Sequence, residues 1–145
     1  MNLIKKEIGF TLFEMMMVIS VIAVFTAMMT PSFISWMQTR RLESATGDIN
    51  AVIRVARLNA VKRNTTAVLQ FDVDEDSYFI TVGGAVFKQG RMPVGVDLKD
   101  VSPGETIVFD SRGFPTPPVD IVLQQGTSGA IRTIQVNLTG GTRIN

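Results

Sequence analysis

The chain has 145 residues, with 14 Lys and Arg against 13 Asp and Glu, and it contains neither His nor Cys. Without those two residue types, Ser-His-Asp and Cys-His nucleophilic sites, thiolate metal centres and disulfides are excluded. No enzyme activity, cofactor or bound metal is expected, and stability must come from the core and from neighbouring molecules.

Residues 1–9 form a short polar leader carrying Lys5 and Lys6. From Phe10 the chain is almost wholly apolar as far as Thr30, except for one carboxylate, Glu14. Some twenty residues of helix span about 30 Å, the hydrocarbon thickness of a bilayer. No other segment comes close, so there is one span or none. Leu, Ile, Val and Phe contribute roughly −0.3 to −0.6 kcal/mol each to insertion, so the nine between Phe10 and Phe25 supply about −3 to −5 kcal/mol. A central acid costs about +2.5 to +3.5 kcal/mol and one near an end costs less. Insertion is favourable by a modest margin, which suits a protein that later leaves the bilayer. Lys5 and Lys6 favour a cytoplasmic N-terminus. Arg40 and Arg41 oppose this from ten residues beyond the apolar run, too far to weigh equally. A secretory signal peptide fits poorly: the run is too long, holds Glu14 and precedes no A-x-A site. A plain signal anchor with an incidental acid is the other alternative.

Lys5-Lys6-Glu7-Ile8-Gly9, then Phe10-Thr11-Leu12-Phe13-Glu14, then an apolar helix ending at Thr30-Pro31, together resemble the type IV prepilin and pseudopilin family. The resemblance implies cleavage after Gly9 by a prepilin peptidase of the inner membrane and N-methylation of Phe10. Gly suits such a site because it lets backbone approach a protease closely. Glu14 then becomes the fifth mature residue, where the family places an acid that pairs with the terminal amine of a neighbouring subunit. The chemistry agrees, since a carboxylate in hydrocarbon needs a partner. The same pair would set register between subunits. Snorkelling of Glu14 to the headgroups is the plainer reading. Pro31 also matches a family position and is expected to kink the helix rather than end it, because a helical pattern resumes after it.

That pattern runs to residue 63. Ala45, Ile49, Val52, Ile53, Ala56 and Ala60 make an apolar stripe, with Asn50, Arg54, Arg57 and Lys62 off it, and the stripe is expected to dock on a sheet. Lys62 and Arg63 suit the helix C-terminus, and Asn64 is a natural stop. Beyond it the period becomes strand-like. Residues 67–71, 78–82, 106–109, 119–123 and 131–136 read as short strands, separated by turns at Gly83-Gly84, at 102–104, at 113–118 and at 126–129. The fold class is therefore α+β: a long N-terminal α-helix, membrane-spanning in its first half, and an antiparallel β-sheet head. The expected divisions are the leader (1–9), the membrane or filament-core helix (10–30), its amphipathic second half (31–63) and one β-rich head domain (64–145). The acids of Asp72-Val73-Asp74-Glu75-Asp76-Ser77 resemble the opening of a calcium loop. An EF-hand would require Gly at Ser77 and Glu at Gly83, so a solvated hairpin turn is expected instead.

Ile107 to Thr116, with its F-x-x-x-G at Phe109 to Gly113, resembles minor pseudopilins of the GspH/FimT type, as does the terminal Gly140-Gly141-Thr142-Arg143. This implies a structural subunit of the periplasmic pseudopilus of a type II secretion system in a Gram-negative bacterium. It would be anchored in the inner membrane with its head in the periplasm, and its partners would be other pseudopilin or pilin subunits. The alternative is a minor pilin of a type IV pilus, FimT-like, serving pilus assembly or DNA uptake. Some FimT-type proteins bind DNA through a C-terminal Gly-Arg-x-Arg. Here Gly141 replaces the first arginine and only Arg143 is left as a weak contact. Residues 64–145 carry six Lys and Arg against nine Asp and Glu, so nucleic acid is not the expected partner. The basic excess lies in residues 40–63 and better suits lipid headgroups or a neighbouring subunit.

Overall fold

The structure is a computed structural model and describes residues 10–126 and 129–145. Its elements are α1 (Leu12–Lys62), β1 (Ala67–Asp72), β2 (Ser77–Val82), β3 (Ala85–Arg91), β4 (Asp97–Ser102), β5 (Thr106–Phe109), β6 (Pro115–Thr116), β7 (Val119–Gln124), β8 (Ile131–Val136) and β9 (Thr142–Ile144). The chain divides into two compact units, one up to Met37 and the other Gln38–Asn145. α1 runs through Pro31 without ending at Thr30. Among its described residues the first unit is otherwise helix alone.

In the second unit all strand pairs are antiparallel, and they form two sheets ordered β3-β2-β1-β5-β6 and β4-β7-β8-β9. The stripe on α1 is buried as its spacing requires: Ala45, Ile49, Val52, Ile53, Ala56 and Ala60 belong to one core with Leu69, Phe71, Ile80, Ile107, Phe109, Ile121, Leu123 and Ile134. Small residues at 45, 56 and 60 leave room for the larger strand side chains, as close packing demands. Leu42 extends the stripe by a turn, and buried Thr46 satisfies its hydroxyl on the Leu42 carbonyl at 2.7 Å. α1 ends in a Schellman motif. Asn64 takes φ +48°, its N–H bonds the Val61 carbonyl (3.2 Å), and the Thr65 N–H bonds that of Ala60 (3.0 Å).

Five strands fall where the alternation puts them, and four were not evident. β3 is exposed along nearly its whole length, so it has no inward-facing period to detect. β4 buries Leu98 and Val101, three residues apart, because its register shifts between Leu98 and Asp100; a strict period of two cannot see that. β6 is two residues inside the expected 113–118 turn, and β9 is three residues on the edge of β8.

Two glycine motifs meet at α1. Phe109 is buried, and the turn after it folds on Asp110, whose Oδ1 accepts the N–H of Phe114 (2.8 Å) and of Arg112 (2.9 Å). Those bonds, Phe114's foremost, together with the Arg112 guanidinium, hold the Asp110 carboxyl below its usual range. Gly113 closes the turn at φ +83°. A Cβ there would lie 2.9 Å from Val61 Cγ2 and 3.0 Å from Arg57 Nε. Arg57 Nη1 in turn donates to the Gly140 carbonyl (3.1 Å), and the Thr142 hydroxyl donates to Asn50 Oδ1 (2.7 Å). Asn50 and Arg57, seven residues apart on α1, thus hold the C-terminal segment.

Gly140→Ala is expected to destabilise the protein by about 1–3 kcal/mol, because an L residue is strained in the left-handed region and must also displace Arg57. At Gly140 φ is +75° and a Cβ would lie 2.8 Å from the Gly113 carbonyl oxygen, whereas at Gly141 its nearest neighbour is Thr139 Oγ1 at 3.7 Å. Gly141→Ala should therefore be close to neutral, and urea unfolding of the two variants side by side checks the contrast.

Candidate functional site

The start of α1 is built on a reciprocal cap. Thr11 immediately precedes the helix and Glu14 is its third residue. Glu14 Oε2 accepts the backbone N–H of Thr11 (2.9 Å) and its hydroxyl (3.0 Å), while Thr11 Oγ1 accepts the N–H of Glu14 (3.2 Å). This is a capping box, which satisfies two backbone donors that a helix N-terminus leaves orphaned. Thr11 was not singled out from the sequence, although T-x-x-E before an apolar run is its signature. Phe10 is exposed beside the cap. Gly9 lies outside the described residues.

The exposed large hydrophobic side chains from Phe10 to Trp36 are 41–81 % accessible. The helix here is long and apolar enough to cross a membrane, and the apolar window is not buried inside the protein. Soluble monomers rarely carry contiguous apolar surface on this scale. It is a surface made to be covered.

Pro31 lies within α1 in the first unit, and Arg143 and the acidic stretch lie in the second. Arg143 lies on β9 opposite Gln135 of β8, which lies opposite Asp120 of β7. Cross-strand partners share a sheet face, and Gln135 Nε2 donates to Asp120 Oδ2 at 3.3 Å. Arg132 pairs with buried Leu123 in the adjacent register, so it projects from the opposite face to Arg143. Arg143 therefore has an acid in its own row and no second arginine beside it in the pairing. Four of the cations between residues 40 and 63 have contacts of their own. Arg40 pairs with Glu43 (3.0 Å), Arg41 reaches the Val94 carbonyl (3.5 Å), Arg57 is committed to Gly140, and Arg63 sits over the Phe87 ring (5.2 Å).

The acidic stretch 72–76 is the β1–β2 hairpin turn. Asp72 Oδ1 accepts the N–H of Glu75 (2.9 Å), Glu75 pairs with Arg91 (3.2 Å), and Asp76, at φ +49°, accepts the N–H of Leu98 on Oδ1 (2.7 Å). Its acids thus cap the turn and tie it to β4. Among the described residues no group of three or more His, Cys, Asp or Glu is placed to hold a metal ion.

A long N-terminal helix whose second half packs on antiparallel sheets is the architecture of pilin-like subunits. The family model of the type II transport protein GspH matches residues 45–140, and that of the prokaryotic N-terminal methylation motif matches residues 4–30. The chain belongs to the GspH family of pilin-like proteins, structural subunits that assemble with other pilin subunits. The type IV minor pilin FimU of Pseudomonas aeruginosa has the same fold, with a TM-score of 0.63 and 18% identity over 76% of this chain and 92% of that one. The minor pseudopilin EpsH of the Vibrio cholerae type 2 secretion system superposes with a TM-score of 0.60 at 15% identity, covering 72% of this chain and 96% of that one. The pilin-like protein PilA1 of Thermus thermophilus is 26% identical over 94% of this chain and 97% of its own length. The methylation motif and the apolar helix fit a membrane-anchored protein.

Thr11→Ala is expected to remove about 1 kcal/mol from the first turn of α1, and Thr11→Ser to retain most of it. Amide hydrogen exchange of residues 13–15 in detergent micelles should be faster in the alanine variant and near wild type in the serine variant.

Proposed function

We propose that this protein is a minor pseudopilin, a subunit of the periplasmic pseudopilus of a type II secretion system. Its action is assembly. The head is translocated to the periplasm with the N-terminus cytoplasmic, prepilin peptidase cleaves after Gly9, and Phe10 becomes the N-methylated first residue. The subunit then leaves the inner membrane as its apolar helix exchanges lipid for the helices of its neighbours. Glu14 recruits and registers the incoming subunit by pairing with a terminal amine, and Pro31 kinks the helix. The observation that carries this reading is the match of the head to the type II transport family, joined to a methylation motif ahead of an exposed apolar helix. The likeness to FimU favours the second reading, a minor subunit of a type IV pilus. The acid in Arg143's row and the excess of acids over cations in residues 64–145 argue against DNA as a partner.

A deletion strain should lose protein export while keeping twitching motility. The reverse result would assign the protein to a type IV pilus. In that strain Glu14→Ala should still yield a chain whose intact mass begins at Phe10 and carries one methyl group, yet fail to enter filaments. Normal incorporation would remove the pairing role, and retention of Met1 would remove the processing.

A further inference from the structure

We infer that the membrane-spanning register of α1 runs from Glu14 to Trp36, with these two side chains at opposite edges of the hydrocarbon. It is therefore displaced outward from the run of residues 10–30 that hydropathy alone selects. The inference rests on the reading of α1 as a membrane anchor. Between the two residues there is no charged side chain. They are 22 residues apart within one helix, hence about 33 Å, or about 31 Å along the bilayer normal at a typical tilt of ~20°. The hydrocarbon core is about 30 Å thick. A register over 10–30 would instead sink Glu14 about 6 Å into the hydrocarbon and lift Trp36 about 9 Å out of it.

The side chains in between fit the longer register. Ser20, Thr26 and Thr30 donate their hydroxyls to the carbonyls of Met16 (2.8 Å), Ile22 (2.8 Å) and Thr26 (2.7 Å), and Ser35 donates to Ser32 (3.0 Å). Their polar hydrogens are spent within the helix, so lipid need not satisfy them. Phe33, Ile34 and Trp36 continue the exposed apolar surface past Pro31, with the Phe33 and Trp36 rings 5.9 Å apart. Paired aromatics at the end of an apolar run mark the membrane–water boundary, where an indole ring buries its body and keeps its N–H wet. At the inner edge Glu14 stays within reach of water, and its remaining bonds come from Thr11. Its charge is thus tolerated before any neighbouring subunit arrives. Pro31 falls inside the bilayer.

Trp36 is the chain's one tryptophan, so its depth can be read directly. The full chain is reconstituted into phosphatidylcholine–phosphatidylglycerol vesicles with bromine either near the glycerol end or near the centre of the acyl chains. Trp36 fluorescence should be lost more to the shallow bromines than to the deep ones. The double variant Trp36→Phe with Thr30→Trp, about 9 Å further in, should show the opposite preference. A chain that floats with the vesicles but keeps its Trp36 fluorescence in both lipids, or loses it mainly to the deep label, overturns the register and leaves the anchor intact. A chain that does not float overturns both.

Discussion

Everything in this protein depends on an apolar surface that the chain does not cover for itself. Burying a single Leu, Ile, Phe or Met side chain is worth about 1.5–3 kcal/mol. The exposed set on α1 from Phe10 to Trp36 therefore represents tens of kcal/mol in water, more than the net stability of a typical domain. Either lipid or other helices must take that surface up. Because lipid tails are as apolar as leucine, exchanging one for the other changes the free energy little. The bulk of the helix can thus supply adhesion in both settings without favouring either. Selectivity must come from the few polar groups at its end, which here are Thr11, Glu14 and the amine that cleavage after Gly9 would create.

Among the described residues the four sheet edges are bulged or short. β3 carries a register shift opposite Ile80 and Thr81, and β4 another around Lys99. β6 and β9, at the other edges, are two and three residues long. Bulges and short edge strands are how soluble sheets avoid strand addition. A protein held at high local density in a filament or membrane patch would otherwise risk pairing head to head through β3, whose Val86 and Phe87 are exposed.

How much of this could be read from the sequence depended on whether the signal was periodic. The stripe from Ala45 to Ala60 and the strands at 67–71, 106–109 and 131–136 were legible because one face of each is buried in a single core. β3 and β4 were not, one because neither face is buried and the other because a bulge breaks the period. Asn64 was legible as a helix stop, and the left-handed conformation explains why. Thr11 could have been read from T-x-x-E, but the acid drew attention first. Arg57 gave no local signal at all. Its partners, Gly113 and Gly140, lie more than fifty residues away, and only the folded chain brings them together. At Gly113 and Gly140 a left-handed backbone and the close approach of Arg57 together require glycine.

The cap at Thr11 changes what pairing at Glu14 would have to achieve. If the acid were alone in hydrocarbon, any cation would relieve it, and recruitment would be strong but indiscriminate. Glu14 instead has two donors from Thr11 on one carboxylate oxygen, Oε2. An incoming amine then gains only the difference between a charged partner and a hydroxyl with its backbone N–H, together with whatever the exchange costs the helix cap. That difference is small compared with burying a bare charge, so a misplaced neighbour is easily released. The Thr11 bonds already end on a charged acceptor, so what an amine adds is the Coulombic attraction of a full positive charge, which favours one that is well positioned. A weak, geometry-dependent preference at the end of an adhesive helix is the arrangement that lets subunits be sorted by register before they are committed.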